Sequence, residues 1–187
     1  GSGTARRPGG ATGVTEQPPI DPYSQYDGMD RKPGRPRALT VDVIAQAALD
    51  DGIATFSMPS VARRLGVAHS GLYRYVEDRD DLLVRALDKA ILAASWPDAD
   101  LPWQDLLKGI GLTIWQMCED HPGLDTAALG APKSPQAVEE RIEKYIESLQ
   151  SQGFLLEDAA VAVEFVITLA LTASAEATHA RLGGPGH

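Results

Sequence analysis

LGVAHSGLYRYVEDRDDLL, residues 65–83, carries three structural signals in close succession. Gly66 closes one apolar-periodic segment, as a left-handed C-cap costs glycine little. Only Val67 and Ala68 separate it from a segment rich in polar and aromatic groups that begins at His69. Asp78, with Asp81 three residues later, then reads as a carboxylate version of a capping box that opens a further helix. Helix, tight turn and short helix is the arrangement that lays one helix in the major groove of DNA.

The flanking residues extend the pattern. Ser57 caps a short helix, in which Pro59 is tolerated because first-turn amides lack an intrahelical acceptor. Its buried stripe is Met58, Val61, Ala62 and Leu65. Thr40 caps a preceding helix through Ile44, Ala47, Ala48 and Leu49 that ends near Gly52. The third helix is expected from His69 to about Val76. Leu72 and Val76 turn inward onto Val61, Leu65 and Val67, and Ala62 lets the two helices cross closely. Ser70, Tyr73 and Arg74 then project outward, with His69 at the exposed end.

Those outward groups suit DNA. Arg74 can pair with phosphate or a guanine edge, Ser70 and His69 can reach base edges or phosphates, and the hydroxyls of Tyr73 and Tyr75 can donate to phosphate oxygens. Gly71 in mid-helix costs about 1 kcal/mol relative to alanine, and it reads either as close approach to the duplex or as a merely tolerated glycine.

The formal net charge is −9 over 187 residues, which conceals an asymmetry. Through Arg79 there are ten basic against nine acidic residues, whereas beyond it there are seven against seventeen. The acidic C-terminal body repels nucleic acid, and the locally basic N-terminal part does not. Cys118 is the only cysteine, which excludes an internal disulfide and a multi-cysteine zinc site. No HExxH, Gly-x-Ser-x-Gly, P-loop or Gly-x-Gly-x-x-Gly pattern occurs, so neither an enzyme nor a bound metal or cofactor is expected. No unbroken run of about 20 apolar residues is present. The first residues hold two arginines with no apolar stretch behind them, which does not read as a secretory signal, and a cytoplasmic protein is expected.

From Thr40 onward the periodicity is helical throughout. Helices are expected over 81–94, 101–118 and 124–129, from Ser134-Pro135 to about Gln152, and from Glu157 to about Arg181. The fourth of these helices along the chain, from Ser134-Pro135, places Val138, Ile142, Tyr145, Ile146 and Leu149 on one face. The last is apolar nearly all round, with Glu164 and Glu176 as its main interruptions. Such a helix must be covered on more than one side, and its many small residues permit close helix approach. Both features imply a partner subunit.

Residues 40–87 resemble the DNA-binding domain of the tetracycline-repressor (TetR) family of bacterial regulators. The resemblance rests on Ile44, Ala47-Ala48, Gly52, Ser57, Val61-Ala62, Leu65-Gly66-Val67, Leu72-Tyr73, Tyr75-Val76, Asp78-Arg79-Asp80 and Leu82-Leu83. Ala68 departs from the usual Ser or Thr cap, Tyr75-Val76 from the usual His-Phe, and Arg79 stands where lysine is typical. The resemblance implies phosphate contacts from Tyr73 and Arg79 and backbone N–H groups offered to DNA at the start of the fourth helix. It further implies a homodimer joined through the last two helices, an effector cavity among the middle helices, and a repressor released from its operator by a small molecule.

The expected fold is therefore all-α, with an N-terminal three-helix helix-turn-helix domain and a C-terminal helical ligand-binding and dimerisation domain. The expected divisions are a flexible basic arm over 1–37, a DNA-binding domain over 38–87 and an effector and dimerisation domain over 88–187. Within the arm, RKPGRPR at 31–37 has four cations and no acid, and Arg35 and Arg37 are candidates for the minor groove of A·T-rich DNA. The DNA candidates are thus Arg35, Arg37, Thr40, Ser57, His69, Ser70, Gly71, Tyr73, Arg74, Tyr75 and Arg79. Cavity candidates are Trp103, Trp115, Met117, Cys118, His121, Glu164, Phe165 and Thr168, each of which also reads as plain core. Glu164 stands out because a carboxylate within an apolar helix needs a partner or water. The competing reading is an architectural DNA-binding protein with no effector.

Overall fold

The computed structural model describes residues 38–183. Every regular element among them is helical: α1 Val41–Gly52, α2 Met58–Leu65, α3 His69–Leu72, α4 Arg79–Ala93, α5 Trp103–Asp120, α6 Leu124–Leu129, α7 Gln136–Ser151 and α8 Leu156–Leu182. The all-α architecture is the one the periodicity implies. The arm over 1–37, with Arg35 and Arg37, lies outside the described residues.

Helices α1 to α3 form a small head around Ile44, Ala48, Phe56, Val61, Ala62, Leu72 and Val76, all buried. The caps are those the side chains predict. Thr40 Oγ1 accepts from the Val43 N–H at 3.1 Å. Ser57 and Ser60 exchange reciprocal backbone hydrogen bonds at 2.8 and 3.1 Å, a capping box built from two serines. Gly66 sits at φ +67, with its N–H on the Arg63 carbonyl and the Val67 N–H on the Ala62 carbonyl. These two bonds make a Schellman end, and they set the angle between α2 and α3.

The third helix is shorter than expected. Regular helix stops at Leu72, and Tyr73–Tyr75 form a tighter turn that is still right-handed, with Tyr73 at φ −68, ψ −3. The Leu72 carbonyl accepts from both the Tyr75 and the Val76 N–H, at 2.9 and 3.2 Å. Two local weaknesses explain the short run: Ala68 supplies no side-chain cap, and Gly71 lowers helix propensity. Tertiary packing holds the shape instead. Leu72 and Val76 are both buried, and fully burying Leu72 contributes roughly 1.5–3 kcal/mol.

Asp78 caps α4 through the Asp81 N–H at 2.8 Å, and the Asp81 carboxylate accepts from the Glu77 N–H at 2.9 Å. The reciprocal bond thus lands one residue before the cap residue. Helix α4 packs on α1 and also on α6 and α7. Lys89 pairs with Asp42 of α1 at 2.6 Å, and Asp88 accepts from the Ala137 N–H in the first turn of α7 at 2.9 Å.

In the body, α5, α6 and α7 pack on α8. Helix α5 begins at Trp103, two residues later than expected, after Pro102 at its cap. The Tyr145 hydroxyl donates to the Pro97 carbonyl at 2.9 Å, and burial pushes its pKa up. Asp125, buried at the start of α6, accepts from Ser174 of α8 at 2.7 Å and from the Thr126 N–H at 2.6 Å, so its charge is not left bare. Gly123 stands at φ +88, and a Cβ there would lie 2.6 Å from the Cβ of Ala54. The α5–α6 loop therefore rests directly on the loop between α1 and α2.

By length and composition α8 is apolar enough to cross a membrane, with a mean hydropathy of 1.6 in its most apolar stretch. Only one side of it is covered. Ala159, Val163, Ala170 and Ser174 are buried, whereas Val161, Phe165 and Leu169, at i, i+4 and i+8, are 66%, 63% and 53% exposed.

Candidate functional site

The outward face of the head gathers most of the DNA candidates. His69, Ser70, Tyr73, Arg74 and Tyr75 are exposed, and Gly71 is half-buried with open space where a Cβ would be. Tyr73 and His69 meet edge to face at 5.4 Å between ring centroids, with the hydroxyl 3.4 Å from His69 Nε2. That contact holds the Tyr73 hydroxyl at the front of the turn. Thr40 and Ser57 are exposed, but their side-chain oxygens accept from the backbone as helix caps.

Arg79 differs from its neighbours. Its Nε donates to the Phe56 carbonyl at 3.0 Å, and its guanidinium lies 4.4 Å over the Phe56 ring. The side chain is therefore a clip between the start of α4 and the α1–α2 loop, with its remaining N–H groups open to other acceptors. The nearby Asp81 carboxyl is pushed up by burial, but the Glu77 N–H, Arg85 and the charge of Lys133 together hold it below its ordinary value.

A second feature lies in the body: a half-open cavity of about 470 Å³ bordered by α4 to α8. Leu87 and Ile91 of α4 form one wall, Ile114 and Met117 of α5 another, and Ile167, Thr168 and Leu171 of α8 a third. Trp96, Val138 and Ile142 contribute further apolar surface, and Lys133 and Ser134 line it from the α6–α7 loop. Trp96 spends its indole N–H on the Ile91 carbonyl at 2.8 Å and lies under the Arg141 guanidinium. A largely apolar cavity of this size with few polar groups is a candidate small-molecule site.

Of the eight cavity candidates, Met117 and Thr168 line this space and six do not. Trp103 is half-exposed at the start of α5, where its ring meets Phe154 at 5.5 Å and its N–H meets Gln152 at 2.8 Å. Trp115 is half-buried outside the cavity. Cys118 is buried beside Ser174 and Asp125, and burial pushes its thiol pKa up. His121 lines a different cleft, between α1 and α4. Phe165 belongs to the exposed stripe of α8. Glu164 is exposed, so of the partners expected for it water is the one within one chain's reach. Lys133, Ser134 and Trp96 were missed because each falls in or beside a Pro-containing break, where periodicity carries no facing information.

No family model matches the chain. It is 32% identical over 129 residues to an HTH-type transcriptional repressor of Mycobacterium tuberculosis H37Rv, covering 63% of this chain and 49% of that protein. It is 30% identical over 121 residues to an HTH-type transcriptional regulator of Saccharopolyspora erythraea, covering 62% and 51%. The chain thus spans about half the length of the curated relatives it matches. Among solved structures, the TetR-family protein ActR of Streptomyces coelicolor, in complex with actinorhodin, superposes with a TM-score of 0.67 at 26% identity over 78% of this chain and 70% of that one. The described helices have the TetR-family fold. A TetR variant of Acinetobacter baumannii AYE in complex with minocycline shares the TetR fold with a TM-score of 0.65 at 17% identity, over 77% and 82% of the two chains. Within the TetR fold, α2 and α3 are the helix-turn-helix pair, and α4 joins it to the helical body.

Proposed function

We propose that this protein is a member of the TetR family and a homodimeric transcriptional regulator, a repressor released from its operator by a small molecule bound in the cavity of the body. The DNA-binding part is assigned to 38–87, the effector and dimerisation part to 88–187, and the basic residues before Thr40 to the minor groove beside the operator half-site. A cytoplasmic location follows from that role. The observation that carries the reading is the course of α4. At its start Arg79 clips it to Phe56 beside the recognition turn, and twelve residues on, about 18 Å along a helix, Ile91 lines the cavity.

A ligand that displaces Leu87 and Ile91 moves α4 as a rod, and with it the position of Tyr73 and Arg74. Two heads joined through the α8 stripe must match major grooves about 34–36 Å apart, so a small rotation of α4 is enough to mismatch them. The names of the neighbours support the ligand role: ActR is found with actinorhodin and the A. baumannii protein with minocycline.

The test begins with an operator selected from random duplex DNA and affinities measured by fluorescence anisotropy. Tyr73→Phe is expected to weaken all sequences by a similar, modest factor. Arg74→Ala is expected to relax base preference or to flatten the salt dependence. Unchanged binding in both variants overturns the recognition-turn assignment. Release by no compound in a broad small-molecule panel favours the architectural reading instead.

A further inference from the structure

We infer that the cavity takes a lipophilic anion, an apolar body carrying one acidic group, with that group received by Lys133. The inference rests on the reading of the cavity as an effector site and narrows the chemistry of its ligand.

The polar inventory of the cavity decides the class. Of its seventeen lining residues, Lys133 alone is charged, and Ser134 and Thr168 are the only hydroxyls. No carboxylate or imidazole lines it, and the Trp96 N–H is already spent on Ile91. A cationic ligand meets no counter-charge there and is desolvated at a loss. A polyol meets too few partners. An anion meets an ammonium group with three N–H donors, and the apolar remainder of the ligand meets Ile91, Trp96, Ile142 and Leu171.

The placing of Lys133 adds a second argument. Lys133 and Ser134 also line a neighbouring cleft, together with Arg85 and the carboxylates of Asp81, Asp88, Glu139, Glu140 and Glu143. Among the described residues Lys133 makes no ion pair within 4.0 Å. Lys133 thus borders both an acidic cleft and an apolar cavity, within reach of either. An acid group in the cavity draws that charge away from Asp81, which organises the first turn of α4 through the Glu77 N–H. The ligand's charge therefore acts on the end of α4 nearest the DNA.

The experiment uses three probes of one chain length, decanoate, decanol and decylammonium, with the full chain, by calorimetry at pH 7.5. Decanoate is expected to bind on the order of five- to tenfold more tightly than decanol, the range of an ion pair at a partly exposed lysine, and decylammonium more weakly than either. Lys133→Gln should abolish the preference for decanoate, Lys133→Arg should keep it, and Lys133→Glu should invert it toward decylammonium. Thermal melts of these exposed-site variants should match the parent protein. Decanol or decylammonium binding as tightly as decanoate overturns the inference, as does decanoate that does not bind or is indifferent to Lys133. Operator anisotropy is read in parallel. Lys133-dependent decanoate binding with no change in DNA affinity upholds the ligand class and refutes the effector reading. Release by neutral or cationic compounds alone does the reverse.

Discussion

Replacing Arg79 separates a structural clip from a simple phosphate contact. The Nε bond to the Phe56 carbonyl at 3.0 Å is charge-assisted and part-buried, and such bonds contribute about 1.5–3 kcal/mol. The guanidinium 4.4 Å over the Phe56 ring adds about 0.5–1 kcal/mol at a partly exposed site. Allowing for water reaching the carbonyl once the arginine is gone, Arg79→Ala is expected to cost about 2–3 kcal/mol. For a chain of this size that lowers Tm by roughly 4–12 °C. Arg79→Lys is the sharper perturbation. It keeps the positive charge, and hence the salt slope of DNA binding, but loses the planar stack and the fixed fork, so about half of the stability loss should remain. Urea titration with salt-dependent anisotropy reads both quantities. If Arg79→Lys is as stable as the parent, or if Arg79→Ala changes only the salt slope, then the clip does not hold α4 to the head.

Three further outcomes follow from particular contacts. In the proposed dimer Phe165→Glu places a charge on the α8 stripe of both subunits, and losing two phenylalanines from that interface should raise the dimer dissociation constant roughly a hundredfold or more, as read by native mass spectrometry across a dilution series. Gly123→Ala meets both a positive φ and the Ala54 methyl group, so a loss of about 1–3 kcal/mol is expected, and a neutral result in urea denaturation would show that the two loops do not touch. The Asp81 carboxyl has a folded-state pKa below its unfolded value, because its hydrogen bonds and cationic neighbours outweigh burial. Its contribution is therefore present above about pH 4 and is lost as pH falls through the folded value. The stability gap between the parent and Asp81→Asn should persist at pH 6 and close toward pH 3, and a gap that does not depend on pH refutes the assignment.

Residues that act through local chemistry were legible in the chain. Thr40, Ser57, Gly66 and Asp78 set helix ends because caps depend on neighbours within four residues, and α1, α2 and α4 begin where those residues place them. The inward turn of Leu72 and the outward turn of Tyr73 and Arg74 were readable too, since Val61, Ala62 and Val67 lie close in sequence. The exact extent of α3 was not, because the Leu72 carbonyl takes two amides under packing from α2.

The facing of the body's residues belonged to the tertiary structure. A helix apolar all round offers no periodicity from which to choose, so whether Phe165 or Thr168 looks into a cavity depends on where α5, α6 and α7 settle against α8. The same holds for Lys133 and Trp96, which sit in chain breaks and reach the cavity only when helices distant in sequence close around it. By itself the sequence determined the helix-turn-helix head apart from the extent of α3, because short-range rules place its caps, its turn and the facing of its side chains. Only the tertiary structure decided the cavity and its single cation, because long-range packing creates a space that no local pattern encodes.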